Sequence, residues 1–215
     1  MDPSPPTALA DRPQRAALAA VLAATLALNV VGGGWGLPAE YSWSNDDPTP
    51  RVALAIPHYW SSDWYKYPYL QLWLDRALYQ PTLWRLQRAG QLDTQRTDPD
   101  CTKLDLDCLE VDDRAALVGS FMRRSRHLRA LMGVGIALAA YALARRLRAG
   151  RTAAVAAAAF IGVTQIVAFY AHVGNVDLPS AFWAAWALVA WAGLLAADRP
   201  RDWLLLGALG GAALA

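Results

Sequence analysis

The sequence predicts an all-α, polytopic membrane protein of about four to five spans, with a large outer loop bearing juxtamembrane helices after the first span. Three observations carry that prediction. Of 215 residues, 55% are hydrophobic and 18% charged, and the net charge is only +2, which leaves no basic surface for a nucleic-acid partner. Charge-free runs occupy Ala16–Ala39, Ala130–Ala144, Thr152–Val176 and Leu178–Ala197, each a candidate for crossing a hydrocarbon core that takes about 20 helical residues. The polar residues, by contrast, gather in one long stretch between the first run and the second.

A soluble bundle is the competing reading, because alanine is only mildly apolar. It fails on periodicity: a soluble helix needs a polar face, and "AAVAAAAFIGVTQIVAFYA" offers only Thr164 and Gln165. The first run ends in "NVVGGGWG", without a convincing signal-cleavage site, so it is kept as an uncleaved span. A fifth run, Trp203–Ala215, is too short to cross by itself, and the chain is expected to be cut within a span. The expected division is a cytoplasmic tail at 1–15, a first span at 16–37, an outer, periplasmic loop at 38–129, and spans two to five over 130–215, the last incomplete.

Arginines orient the spans. Arg12 and Arg15 precede the first; Arg145, Arg146, Arg148 and Arg151 fill the turn after the second; Arg199 and Arg201 follow the fourth. Short loops rich in Lys and Arg stay in the cytoplasm, so the N-terminus is expected inside and the first long loop outside a bacterial-type inner membrane. Arg123, Arg124, Arg126 and Arg129 fall on the outer side in this topology, where headgroup phosphates attract them.

The loop at 38–129 holds 13 of the 18 acidic residues and six of the eight tyrosines. From Tyr69, the positions Leu70, Trp73, Leu74, Ala77 and Leu78 recur at helical spacing, predicting an amphipathic helix lying on the membrane, with Trp and Tyr at headgroup height. Pro81 is expected to break it and to open a second short helix ending near Gly90. Beyond lies "DTQRTDPDCTKLDLDCLEVDD", a solvated acidic excursion without the glycine-centred spacing of a calcium loop. Cys101 and Cys108, the only cysteines, can close a small disulfide loop on an oxidising face. With no histidine nearby they do not make a zinc site.

Two adjacent carboxylates, Asp46 and Asp47, stand in "WSNDDPT" just after the first span. Asn, Asp and Pro here also suit a surface turn. His58, His127 and His172 are not spaced as a metal-binding set. His172 does lie five positions before Asp177 in a short turn between spans three and four. Asp177 and Pro179 fit an N-cap and a first-turn proline.

Taken in order, "WSNDDPT", "YPYLQLWL", "RHLRALMG" from Arg126 and "YAHVGNVDLP" from Tyr170 to Pro179 resemble the GT-C membrane glycosyltransferases of the protein O-mannosyltransferase and aminoarabinose transferase type. The second acid is Asp47 where that family often has Glu, and Lys66-Tyr67-Pro68 matches its Lys-Pro-Pro segment only with a shift. The resemblance implies transfer of a sugar, with inversion, from a polyprenyl-phosphate donor to an acceptor hydroxyl on a protein or glycolipid at the outer membrane face. It implies Asp46 or Asp47 as the general base, Arg126 and Lys66 at the donor phosphate, and Asp177 orienting the acceptor or, with His172, helping to hold a divalent cation. Members usually have many more spans, so the alternative is a catalytically incomplete or non-enzymatic membrane protein keeping the front half of the fold.

Overall fold

The computed structural model describes residues 12–37, 50, 53–54, 69–91, 114–174, 176–196 and 199–214. Among these residues there are seven helices and no strand: α1 (Arg12–Val30), α2 (Tyr69–Arg88), α3 (Arg114–Arg146), α4 (Arg151–Gly162), α5 (Gln165–Val173), α6 (Asp177–Ala196) and α7 (Pro200–Leu214). α1, α3 and α6 are each long and apolar enough to cross a membrane. α4 and α5 together make a fourth such unit, bent by 47°.

What faces inward confirms which solvent the helices are built for. On α1 the buried residues are the polar Thr25 and Asn29, while Leu26, Leu28 and Val30 are exposed. Phe160, Ile166, Phe169, Leu188, Trp191 and Leu195 also point outward. Lipid tails are as apolar as these side chains, so nothing drives the apolar face inward, and the bundle is joined by close packing and polar contacts. Small residues permit that approach. Ala137, Ala154 and Ala158 are fully buried, Gly162 of α4 lies against Thr25 of α1, and Gly135 of α3 lies under the Phe182 ring of α6.

α3 is the central element, packing against α1, α2, α4, α5 and α6. Its 33 residues extend about 50 Å at 1.5 Å per residue, longer than the membrane core. The expected second span, Ala130–Ala144, is the latter half of this helix; the arginine cluster sits on the former half, which α2 covers. Here the hydrophobic effect does operate: Leu54, Tyr79, Leu83, Leu86, Leu117, Val118, Phe121 and Met122 form a buried cluster, with the Tyr79 and Phe121 rings stacked 4.5 Å apart. Each such side chain contributes about 1.5–3 kcal/mol when removed from water.

One local expectation is corrected, at Pro81, and two helix outlines become finer. α2 does not stop at Pro81 but runs through it to Arg88, where Gly90, at φ 70°, closes it with the Gln91 N–H on Leu86 O and the Gly90 N–H on Gln87 O. That pair of bonds needs a left-handed residue, which glycine supplies. The third span is not one rod: the chain turns at Val163–Thr164, and the Thr164 hydroxyl donates back to Phe160 O at 2.8 Å. The first helix begins earlier and ends sooner than 16–37, at Arg12 and Val30. Residues 31–37 form successive turns, with Gly32 at φ 88° and Gly36 at φ 73°.

Candidate functional site

Asp46, Asp47, Lys66, His58, Cys101 and Cys108 lie outside the described residues. The structure describes the frame from which they depart, and that frame is built at the C-terminal end of α1. Three side chains hold it. Asn29 Nδ2 donates to Ala130 O at 3.3 Å, crossing to α3 where Gly133 leaves room for its side chain. His172, at the end of α5, places Nε2 2.9 Å from Leu28 O; a carbonyl only accepts, so this nitrogen carries the proton. Arg126 of α3 donates through one terminal nitrogen to both Gly33 O, at 3.0 Å, and Trp35 O, at 2.8 Å.

The Arg126 contact decides much about the site. Its residue is only 3% exposed, so its charge is held against carbonyl dipoles at the point where the chain leaves α1 toward the acidic pair, nine residues beyond Leu37. A guanidinium presents five N–H donors in a fixed fork, and the two carbonyls fix that fork's orientation. Arg124, two residues earlier, instead reaches Leu78 O of α2 at 3.1 Å.

Sequence reasoning missed the strongest polar feature of this end. Asp75 of α2 and Arg129 of α3 form a two-pronged ion pair, Arg129 NH1 and NH2 each donating to a separate carboxylate oxygen at 2.7 Å. Arg129 is wholly buried and Asp75 2% exposed. Ser125 donates to Asp75 Oδ1 at 2.9 Å, Gln71 Nε2 to the same oxygen at 3.3 Å, and the Tyr79 hydroxyl bonds Ser125 Oγ. Gln71, Asp75 and Tyr79 follow at four-residue intervals on one face of α2, as do Ser125 and Arg129 on α3, so each helix offers one polar stripe to the other. The available signal was Asp75 itself: it is the sole acid of α2. The apolar stripe seen in the sequence is the opposite, outer face, on which Trp73 remains partly exposed. Arg76 donates to Leu54 O at 2.7 Å, and burial lowers its pKa from the ordinary value.

Asp177 is the first residue of α6, exposed to solvent. The residue before it, Val176, accepts the Ser180 N–H and so occupies the cap position, leaving Asp177 in the first turn, where a carboxylate complements the helix dipole. Among the described residues no three His, Cys, Asp or Glu side chains gather as a metal-holding group, and His172 Nε2 is committed to Leu28.

Comparison with known proteins now adds to this geometry. Residues 114–215 match the family model described as dolichyl-phosphate-mannose-protein mannosyltransferase. The match spans α3 to α7, just under half of the chain, and begins after the acidic pair. It bears out the resemblance drawn from the ordered motifs. No curated protein and no solved structure matched the chain.

Proposed function

We propose that this chain, of which residues 114–215 match a mannosyltransferase family model, is a membrane glycosyltransferase of the GT-C type that transfers a sugar from a polyprenyl-phosphate donor to an acceptor hydroxyl, on a protein or glycolipid, at the outer face of a bacterial-type inner membrane. The match across the spans carries the reaction class. The clamp of Arg126 on Gly33 and Trp35 supports the place, because it fixes the exit of the segment bearing Asp46 and Asp47 at the end of α1.

The chemistry is a single displacement. The acceptor oxygen forms a bond to the anomeric carbon while the bond from that carbon to the phosphate oxygen breaks, inverting the centre. The electron pair leaves with the polyprenyl phosphate, and the hydroxyl proton passes to a carboxylate. A hydroxyl is a weak nucleophile at neutral pH, so a base within hydrogen-bond reach, Asp46 or Asp47, lowers the barrier. The leaving phosphate needs cationic stabilisation rather than an acid, which is the role assigned to Lys66 and, beside its positioning of the loop, to Arg126. Asp177 orients the acceptor or helps hold a divalent cation.

Replacing Asp46 or Asp47 by Asn keeps the turn chemistry but removes the base. In full-length protein reconstituted with polyprenyl-phosphate sugars and acceptors, at least one replacement should lower turnover by roughly 10²-fold or more while donor binding persists. Asp177→Asn should lose less. Transfer at the parent rate by both single variants and the double variant would sink the assignment of the base.

A further inference from the structure

The last carbonyls of a helix have no partner within it. At the end of α1 the turns that follow supply two: the Val31 N–H bonds Ala27 O at 2.8 Å and the Gly33 N–H bonds Val30 O at 2.9 Å. Between them, Leu28 O takes its bond from another helix, from Nε2 of His172 at 2.9 Å. The imidazole also lies against the turn, since a Cβ added to Gly32, which stands at φ 88°, would meet His172 Cε1 at 3.8 Å. A side chain of α5 thus completes the end of α1 at the point where the chain leaves the helix.

His172 is fixed from its own side too. It stands in the last turn of α5, which Gly174 closes in the left-handed conformation at φ 71°. Its neighbour Ala171 is buried with Val167 and with Leu178 of α6, and Ile136 of α3 packs against them. Asp177 therefore sits on a turn seated against α3 by residues on both of its flanks. Asn29 and Arg126 tie the end of α1 to α3, and His172 ties it to α5. Ties to one helix leave an end free to pivot about it; a tie to a second helix removes the pivot.

We infer that His172 is a positioning residue, joining the turn that carries Asp177 to the exit of the segment that carries Asp46 and Asp47. The inference rests on the reading of those three carboxylates proposed above. Groups that act together from separate turns must be held in register, and a misplacement of 1 Å can cost about 10²-fold in rate. His172 touches the end of α1 and not the donor, so its loss acts on turnover and leaves donor affinity alone. The bond requires a donor at Nε2 because Leu28 O only accepts. Glutamine sets its own Nε2 donor close to that position, whereas leucine fills similar space with none.

The test uses full-length protein reconstituted with polyprenyl-phosphate mannose as donor and with threonine peptides and glycolipids as acceptors. Backbone hydrogen exchange over residues 31–37, read by mass spectrometry in the same preparations, follows the contact without reference to activity. His172→Leu should lower kcat by about tenfold or more with the donor KM within about twofold of the parent, and should speed exchange over 31–37 while α3 and α6 keep their protection. His172→Gln should restore most of both. An unchanged kcat in His172→Leu, where Asp46→Asn or Asp47→Asn does lose turnover, overturns the inference alone. So does a His172→Gln variant as impaired as His172→Leu, because the ring and not the bond would then matter. Protection lost through α3 and α6 in His172→Leu overturns it as well, by making the contact one of fold rather than of position. Transfer at the parent rate by Asp46→Asn, Asp47→Asn and their double variant, or no transfer by the parent protein, ends the reading of the base and this inference with it.

Discussion

The Asp75–Arg129 pair shows how a single carboxylate sets the relation of two helices. Desolvating both charges is costly, and what offsets it is the two-pronged geometry together with the donors from Ser125 and Gln71, both on Oδ1, which add to the hydrogen bonding of the carboxylate. Removing one partner leaves the other buried without compensation. Asp75→Asn and Arg129→Met should therefore each lower unfolding stability in detergent by about 3–5 kcal/mol, and the Asp75→Leu/Arg129→Met double change should recover most of that loss. A double variant as unstable as the sum of the singles would show that the two residues act separately. The pairing was not visible in the sequence, beyond Asp75 standing as the sole acid of α2, because a carboxylate and a guanidinium 54 positions apart reveal nothing of their distance. What could be seen was the oddity of four arginines at the outer side; three of them prove to be internal fasteners, Arg124 and Arg129 on α2 and Arg126 on the turns after α1.

At the scale of elements, the sequence showed where helices lie better than how they bend. Each charge-free run contains helix over most of its described residues, because a backbone in lipid must satisfy its own hydrogen bonds. The bends followed other rules. Pro81 removes one hydrogen bond and strains the preceding turn, yet Tyr79 before it and Leu83 and Leu86 after it pack into the same cluster, and that shared anchorage holds α2 continuous. Thr164 and Gln165, the polar pair noted within the third span, mark its break. There the Thr164 hydroxyl bonds Phe160 O while the Val167 and Ala168 N–H groups turn to Thr164 O. The small residues of the interfaces carry their own consequence. An ideal Cβ on Gly133 would overlap the Asn29 side chain and lie 3.2 Å from Val167 Cγ1, so Gly133→Leu has no room between α1 and α5. It should cost about 1–3 kcal/mol by overpacking and release Asn29 from Ala130. Measured beside it, Gly210→Leu, where a Cβ meets nothing within 4 Å, should be neutral or slightly stabilising; an equal loss there would mean that the contact at Gly133 is not what is being measured.

Across the whole molecule, the contacts sort into two ends that the chain visits in turn. At one end are Gln14 and Arg15, Tyr141 and Arg145, and Arg151, around one pocket. Arg146 there lies 3.8 Å from the buried Asp202 of α7, the two meeting over Gly193 of α6. At the other end are Leu28 with His172, Asn29 with Ala130, and Arg126 with Gly33 and Trp35. This alternation is what the arginine count anticipated for the topology, since a chain that crosses and returns must gather every second turn on one side. The acidic pair, Lys66 and the cysteines belong to the stretch least constrained by such rules, whose polar composition names no helix face and no partner. We propose that the first of these ends faces the cytoplasm, because the turn Leu147–Gly150 is short and flanked by arginine on both sides, and such turns are retained inside. In a Cys101→Ser/Cys108→Ser background, Gln91→Cys, just beyond α2, should react with a membrane-impermeant maleimide added to intact cells. Gly150→Cys should react only after the membrane is opened. Glycine at 150 has nothing within 4 Å of an added Cβ, so the probe thiol is tolerated and accessible in either orientation. The reverse pattern would place the end of α1, and with it Asp46 and Asp47, on the side of the membrane where the proposed lipid-linked donor is not presented.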